Sequence, residues 1–239
     1  QIWTIAYPIL ISLLMENMIG LTYTAFLGRV GEVELGASAL GSVYYLVIFM
    51  LGFGFGIGAQ ILIARRNGEK AYALIGPLFQ QGLLFLLSLA TVMFVISHTF
   101  TPMVLRSLIS SDEVYEAAVS YTNWRVFGFF FAFVGITNTK TLTLNSIVMV
   151  LSNVVLNYVL VFGKLGLPAM GIAGAAIASS ASEMISMVFF IVYTRLRIDH
   201  RKYGLFRFAG FSSKLLRGML NVSVWTMIQM FVAISTWFF

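Results

Sequence analysis

Cysteine is absent from this chain of 239 residues, and charge is scarce, since Asp, Glu, Lys and Arg together make up only 10% of it. The lack of cysteine excludes disulfide bonds, thiolate metal ligands and thiol catalysis. Soluble domains carry roughly 25% charged residues, so the scarcity of charge excludes an ordinary soluble protein. Apolar residues amount to 59%, and the mean hydropathy is +0.92. The composition is that of a protein embedded in a membrane.

Apolar runs of about 20 residues, the length of a helix that crosses a bilayer, recur along the whole chain. The runs at 83–96 and 187–193 are apolar on every face, whereas the strands of outer-membrane barrels alternate apolar and polar residues. The sequence therefore predicts an all-α fold, a polytopic transmembrane helical bundle. The predicted spans are residues 3–27, 35–63, 74–97, 115–136, 141–162, 171–194 and 215–239.

The basic residues are unevenly divided between the connections of these spans. The connections after the second, fourth and sixth spans hold most of the 15 Lys and Arg residues. Cytoplasmic connections of membrane proteins are enriched in Lys and Arg. This pattern predicts a multi-pass membrane protein with a cytoplasmic amino terminus.

A polar and basic stretch separates the sixth predicted span from the seventh. Many transporters consist of two halves joined by such a connection, with the substrate site between the halves. We therefore predict an amino-terminal six-helix lobe at 1–194, a basic cytoplasmic linker at 195–214 and the first helix of a second lobe at 215–239. Because Gln1 and Phe239 both lie within apolar runs, we expect the chain to be a piece of a longer one.

Two carboxylates lie near the middle of predicted spans, Glu16 in the first and Glu183 in the sixth. A charge at the bilayer centre costs roughly 2.5 to 3.5 kcal/mol on insertion scales, so each is expected to face the bundle interior or a wet cavity. Such a group suits ion coupling, and a permanently protonated packing residue is the alternative. For Glu183 the alternative is stronger, because Ser179 and Ser186 on the same face could satisfy a protonated carboxyl.

Amide, hydroxyl and guanidinium groups are the other polar candidates within the spans. Asn153 and Asn157 lie one helical turn apart on the fifth span, and their carbonyl oxygens suit either Na⁺ or hydrogen bonds between helices. Tyr23 follows Glu16 on the same face, but a phenol with a pKa near ~10 cannot cycle protons at neutral pH. Arg125 is predicted to extend its side chain to the membrane interface.

Glycines at 52, 54, 56 and 58 are spaced for close packing of the second span against another helix. This interpretation is preferred to a dinucleotide-binding motif, because the glycines lie within an apolar span and not at a turn between a strand and a helix.

Four local motifs occur in a fixed order along the chain. They are residues 24–29 with 31–37, the glycine-rich stretch 56–68, residues 135–141, and residues 153–158 with 162–163 and 168–178. Together they make the chain resemble the multidrug and toxic compound extrusion (MATE) family of twelve-helix, cation-coupled antiporters. The resemblance covers essentially the whole chain, as the amino-terminal half of the family's fold plus its seventh helix.

The resemblance implies a function and a set of cavity residues. It implies an antiporter and not an enzyme. The coupling ion would be H⁺ or Na⁺, with no other cofactor. The antiporter would export amphipathic or cationic compounds across the bacterial inner membrane by alternating access. Its partners would be these small molecules and the lipid bilayer, without nucleic acid, and the full-length protein would be a monomer. The implied cavity residues are Glu16, Tyr23, Asn153, Asn157, Ser179 and Glu183, with Na⁺ possible at Asn153 and Asn157.

The sequence departs from the family pattern at three places. Tyr23 stands where the family usually has Asp, and Asn157 stands where many relatives have Asp. The family also has more residues after the fourth span, so residues are expected to be missing near Phe133 and Val134. The alternative function is a lipid-linked precursor flippase of the same broad fold, which would need a basic cavity. The only Arg near the middle of a predicted span is Arg125, which disfavours this alternative.

Overall fold

The structure is a computed structural model that describes residues 2–135, 142–197, 200–205 and 210–238. Every regular element in these ranges is helical, which confirms the predicted all-α fold. The helices are α1 (Ile2–Val30), α2 (Glu32–Gly68), α3 (Ile75–Leu108), α4 (Asp112–Arg125), α5 (Gly128–Gly135), α6 (Leu142–Phe162), α7 (Gly171–Arg197), α8 (His200–Tyr203) and α9 (Ser213–Phe238), and a 3-10 turn occupies Tyr72–Leu74.

Four helical stretches within the described ranges are long and apolar enough to cross a membrane. They are Glu32–Gly68, Tyr72–Leu108, Leu144–Phe162 and Gly171–Arg197, and they correspond to the second, third, fifth and sixth predicted spans. The helix α3 continues past the predicted end of the third span at residue 97 and ends at Leu108, with Pro102 inside it. The seven-span division and the domain boundaries at 194 and 214 stay predictions.

The fourth predicted span, residues 115–136, does not form one continuous helix. α4 ends at Arg125 and α5 begins at Gly128. A helix end leaves backbone carbonyls without partners inside the helix. Ser180 of α7 donates its hydroxyl to the Trp124 carbonyl at 3.1 Å and lies 3.5 Å from that of Arg125. A neighbouring helix therefore supplies the hydrogen bond at this break.

Two buried apolar clusters hold the helices together. The first joins α1, α2, α3, α4, α6 and α7 through Leu27, Ala37, Leu105, Ala118, Tyr121, Val161, Ala175 and Ala176. The second joins α2 and α3 to the α4–α5 break and to α9 through Tyr45, Phe55, Leu78, Leu86, Val126, Phe129 and Met219.

α9 packs closely on α2 at two of the predicted glycines. A Cβ atom added at Gly54 would lie 2.6 Å from the Met227 Cα, and one added at Gly58 would lie 2.6 Å from the Ser223 Cα. Thr226 also donates its hydroxyl to the Gly54 carbonyl at 2.8 Å. The prediction of close helix packing is therefore confirmed for Gly54 and Gly58.

The described parts of the linker lie against the first turns of α3. Gln80 donates its side-chain amide to the Leu205 carbonyl at 3.1 Å, and Gln81 donates to the Gly210 carbonyl at 2.7 Å. Gly76 gives the linker backbone room to approach, since a Cβ there would meet it. The segment between the sixth predicted span and α9 is thus tied to the helical bundle on both sides of residues 206–209.

Candidate functional site

A group of hydrogen-bonded polar side chains lies where α1, α6 and α7 meet. We call it the polar cluster, and it consists of Tyr23, Asn153, Asn157, Ser179 and Ser182. Asn153 donates its amide to the hydroxyls of Ser179 at 3.1 Å and Ser182 at 3.3 Å. Asn157 donates to the side-chain and backbone carbonyls of Asn153, both at 2.9 Å. Each asparagine is only 1% exposed, so the cluster lies inside the bundle.

Tyr23 attaches α1 to α7 through its hydroxyl. The hydroxyl donates to the Ala175 carbonyl at 3.0 Å and hydrogen bonds with the Ser179 hydroxyl. The Tyr23 ring also meets Tyr121 of α4 edge to face, with ring centres 6.4 Å apart. The residue that replaces the acid of the family pattern is therefore a full member of the polar cluster, with a neutral hydroxyl at its end.

One acceptor in the polar cluster is left over. Asn157 Oδ1 is buried and has no hydrogen-bond partner among the residues that the structure describes. Buried polar atoms are almost always satisfied, and an orphaned acceptor points to a bound water or ion. Amide carbonyl oxygens are suitable partners for a hard cation or for a water molecule. The predicted Na⁺ ligands Asn153 and Asn157 therefore have the chemistry and one free oxygen for such a group.

A buried ion pair lies on the α4 side of α7. Arg125 donates to Glu183 through two bonds, from Nη2 to Oε1 at 2.6 Å and from Nη1 to Oε2 at 3.1 Å. Their side chains are only 12% and 13% exposed. Such a bidentate, charge-assisted pair is strong and geometrically specific. The prediction that Arg125 extends to the membrane interface is wrong, because a carboxylate partner holds it inside the bundle.

Aromatic rings and a glycine build the surroundings of this ion pair. The guanidinium carbon of Arg125 lies 3.6 Å from the ring centre of Tyr45 in α2, a cation–π contact. Tyr45 stacks in turn on Phe129 of α5, with ring centres 4.6 Å apart. A Cβ atom added at Gly128 would collide with Arg125 Nη1 and Glu183 Oε2. The pair thus depends on groups from α2, α4, α5 and α7.

Four of the six predicted cavity residues meet in the polar cluster, namely Tyr23, Asn153, Asn157 and Ser179. Glu183 lies one turn beyond Ser179 on α7 but pairs with Arg125, where the sequence suggested serine partners. The side chain of Glu16 lies outside the described residues, as do the side chains at the predicted gap near 133 and 134.

Arg125, Tyr45 and Ser182 were missed as site residues by sequence reasoning. One signal could have found the ion pair. An Arg and a Glu, each deep within an apolar span, each need a partner of opposite charge, and each is the obvious partner for the other.

The fold and the buried polar groups define a polytopic helical membrane protein with a polar interior of the kind that transporters use. A family model described as MatE matches residues 8–161. The chain therefore belongs to the MatE family, which confirms the resemblance drawn from its motifs.

The relatives support the same assignment. The chain is 26% identical over 212 residues to a probable multidrug resistance protein NorM of Mannheimia succiniciproducens, covering 84% of this chain and 45% of that protein. It is 29% identical over 213 residues to a protein of the same name from Synechocystis sp., covering 84% and 46%. The chain spans about half the length of the curated relatives it matches.

The fold is also shared with a solved structure described as the outward-facing conformation of a multidrug resistance MATE family transporter of the MOP superfamily. The TM-score is 0.83 at 20% sequence identity, and the match covers 95% of this chain and 51% of that one. At this identity the similarity establishes the fold alone.

Proposed function

We propose that the protein is a cation-coupled antiporter that exports amphipathic, often cationic, compounds across the bacterial inner membrane by alternating access. The observation that carries this proposal is the polar cluster, a set of buried amides and hydroxyls in which the Asn157 Oδ1 atom has no partner among the described side chains. Membership of the MatE family and the names of the multidrug resistance relatives support export as the activity. The same family membership and the same relatives support a role in transport and not in catalysis.

The proposed mechanism is competition for one cavity. A coupling ion and a substrate bind alternately, and each binding event favours a different orientation of the two lobes. Na⁺ would bind the carbonyl oxygens of Asn153 and Asn157. A proton would instead bind Glu16, since the phenol of Tyr23 cannot exchange a proton at neutral pH. Both coupling ions remain part of the proposal.

The proposed topology rests on the charge pattern, and the proposed partners rest on the family resemblance. The basic connections would face the cytoplasm together with the amino terminus, and the transporter would act as a monomer in the lipid bilayer without nucleic acid. The flippase alternative is not favoured. Its basic cavity would need an unpaired cation, whereas the charge of Arg125 is balanced by Glu183.

A reconstituted transport assay tests the proposal. The protein expressed from its complete reading frame is placed in liposomes loaded with a cationic dye such as ethidium, and a pH gradient or a Na⁺ gradient is imposed separately. We expect one of the two gradients to accelerate dye movement over protein-free liposomes. Dye movement that neither gradient changes would contradict coupled antiport.

Variants of two carboxylates identify the coupling group. Glu16→Gln keeps the side-chain volume and removes titration, so we expect it to lose gradient-driven transport while the protein still inserts. Glu113→Gln is the matched control, because Glu113 is exposed near the start of α4. Normal efflux by Glu16→Gln at equal expression would exclude Glu16 as the coupling group.

A further inference from the structure

The polar cluster carries no formal charge among its described members. Tyr23, Asn153, Asn157, Ser179 and Ser182 are all neutral side chains that bond to one another or to backbone carbonyls. A lobe that recognises cations by charge would need a carboxylate free of any cationic partner near these groups. The described carboxylate nearest to them on α7 is that of Glu183.

The ion pair of Arg125 and Glu183 borders the polar cluster from two sides. Glu183 follows Ser179 by one turn of α7, a rise of about 6 Å. Arg125 follows Tyr121 by one turn of α4, and Tyr121 contacts the ring of Tyr23. A ligand bound at the cluster would therefore experience the charge of the ion pair at close range.

The guanidinium of Arg125 compensates the charge of Glu183 inside the bundle. Both carboxylate oxygens accept from the same guanidinium, which Tyr45 covers from one side. Gly128 admits this arrangement by leaving no side chain between the two groups. The 12% and 13% exposures show that the pair is not sealed off, so a neighbouring ligand would sense its net charge.

We propose that Arg125 is a specificity-determining residue, which cancels the charge of Glu183 and so removes that charge from the selection of a substrate. The inference rests on the proposed transport of amphipathic compounds and defines its substrate class. An uncompensated charge in a medium of low dielectric acts strongly on a second charge several ångströms away. With the pair intact the contributions of Arg125 and Glu183 nearly cancel, so neither residue selects the ligand by its charge.

Two hydrophobic ions of nearly the same shape and opposite charge test this inference. Tetraphenylphosphonium is the cation and tetraphenylborate is the anion, and the binding of each to the purified protein in detergent is measured with protein-free micelles as background. The quantity compared is the ratio of the two dissociation constants, normalised to the unaltered protein.

Removing the positive charge and removing the negative charge are expected to shift the ratio of dissociation constants in opposite directions. Arg125→Met leaves a carboxylate and should favour the cation by about tenfold or more, and Glu183→Gln leaves a guanidinium and should favour the anion to a similar extent. The double variant Arg125→Met/Glu183→Gln should return the ratio to its starting value. Glu183→Gln is the milder single change, because its amide oxygen still accepts from Arg125.

An exposed ion pair supplies the matched control. Arg106 and Asp112 lie 2.5 Å apart with side chains 54% and 79% exposed. The variants Arg106→Met and Asp112→Asn should leave the ratio unchanged, since solvent screens these charges.

Each outcome decides between distinct conclusions. If Arg125→Met and Glu183→Gln weaken both ions in parallel, the pair is structural only and the inference is wrong. If Arg125→Met does not fold, Glu183→Gln and the double variant still test the sign of the shift. If neither ion binds the unaltered protein, the proposed transport of amphipathic compounds fails instead.

Discussion

Replacing Gly128 by alanine should break the buried ion pair without removing either charged residue. The added Cβ would collide with Arg125 Nη1 and Glu183 Oε2 and would lie 3.1 Å from the Tyr45 hydroxyl. Removing one partner of a buried pair costs about 3–5 kcal/mol. Gly128→Ala keeps both charges and forces only the ends of two side chains to move, so this figure is an upper limit. Alanine regains about 1 kcal/mol over glycine in a helix. The free energy of unfolding should therefore fall, by no more than about 2–4 kcal/mol.

Thermal unfolding of the purified protein in detergent measures this change. For a protein of this size, 1 kcal/mol corresponds to a shift of about 2–4 °C in Tm, so Gly128→Ala should melt at a lower temperature, by no more than about 5–15 °C. Gly36→Ala in α2 is the control, because a Cβ there has no neighbouring atom within 4 Å. Its Tm should stay the same or rise slightly.

Equal melting temperatures for Gly128→Ala and Gly36→Ala would refute the reasoning, since the ion pair would then tolerate the Cβ or contribute nothing. A double-mutant cycle separates these two explanations. In the background Arg125→Met/Glu183→Gln, the charged pair is already absent. Gly128→Ala should then cost much less than it does in the unaltered protein.

Three further predictions concern the polar cluster and the linker. Asn153→Ala should weaken efflux more than it lowers stability, because hydrogen bonds between membrane helices average only about 0.6 kcal/mol. Efflux and Tm are measured on one preparation. Retained efflux with a lowered Tm would indicate that Asn153 has only a packing role. Tyr23→Phe removes one hydroxyl and should lower stability by about 0.5–1.5 kcal/mol, so an unchanged Tm would contradict its bridging role. Gly76→Ala should displace the linker from α3 and so speed tryptic cleavage at Lys202. Gly68→Ala is the control and should not change the cleavage rate, because a Cβ there has open space around it. Equal cleavage rates in the two variants would contradict the contact between the linker and α3.

The overall fold could be predicted because the length of an apolar run is a local property of the sequence. The predicted second, third, fifth and sixth spans all correspond to helices that are long and apolar enough to cross a membrane. The break between α4 and α5 could not be predicted in this way. Residues 126 and 127 are apolar and include no proline, and the partner of the freed carbonyl is Ser180 on a different helix.

The same distinction holds for the candidate site. The pairing of Asn153 with Asn157 follows from helical periodicity, because their separation of four residues brings them to one side of α6. Arg125 and Glu183 are separated by 58 residues, and no periodicity relates them. The contact of Tyr23 with Ser179 depends in the same way on how α1 packs against α7.

The break between α4 and α5 places Arg125 where it can pair with Glu183 beside the neutral polar cluster. This arrangement suggests different roles for Glu183 and Glu16, the two carboxylates within predicted spans. Arg125 lies at the carboxyl end of α4 because the helix stops there, and that end of a helix favours a cation. Both carboxylate oxygens of Glu183 accept hydrogen bonds from this cation, so Glu183 is engaged in the pair and Glu16 is the carboxylate left for coupling in the proposed mechanism. We therefore expect Glu183→Gln to alter the preference for ligand charge while gradient-driven transport persists. Glu16→Gln should do the reverse, and loss of coupling in Glu183→Gln with normal coupling in Glu16→Gln would overturn this division of roles.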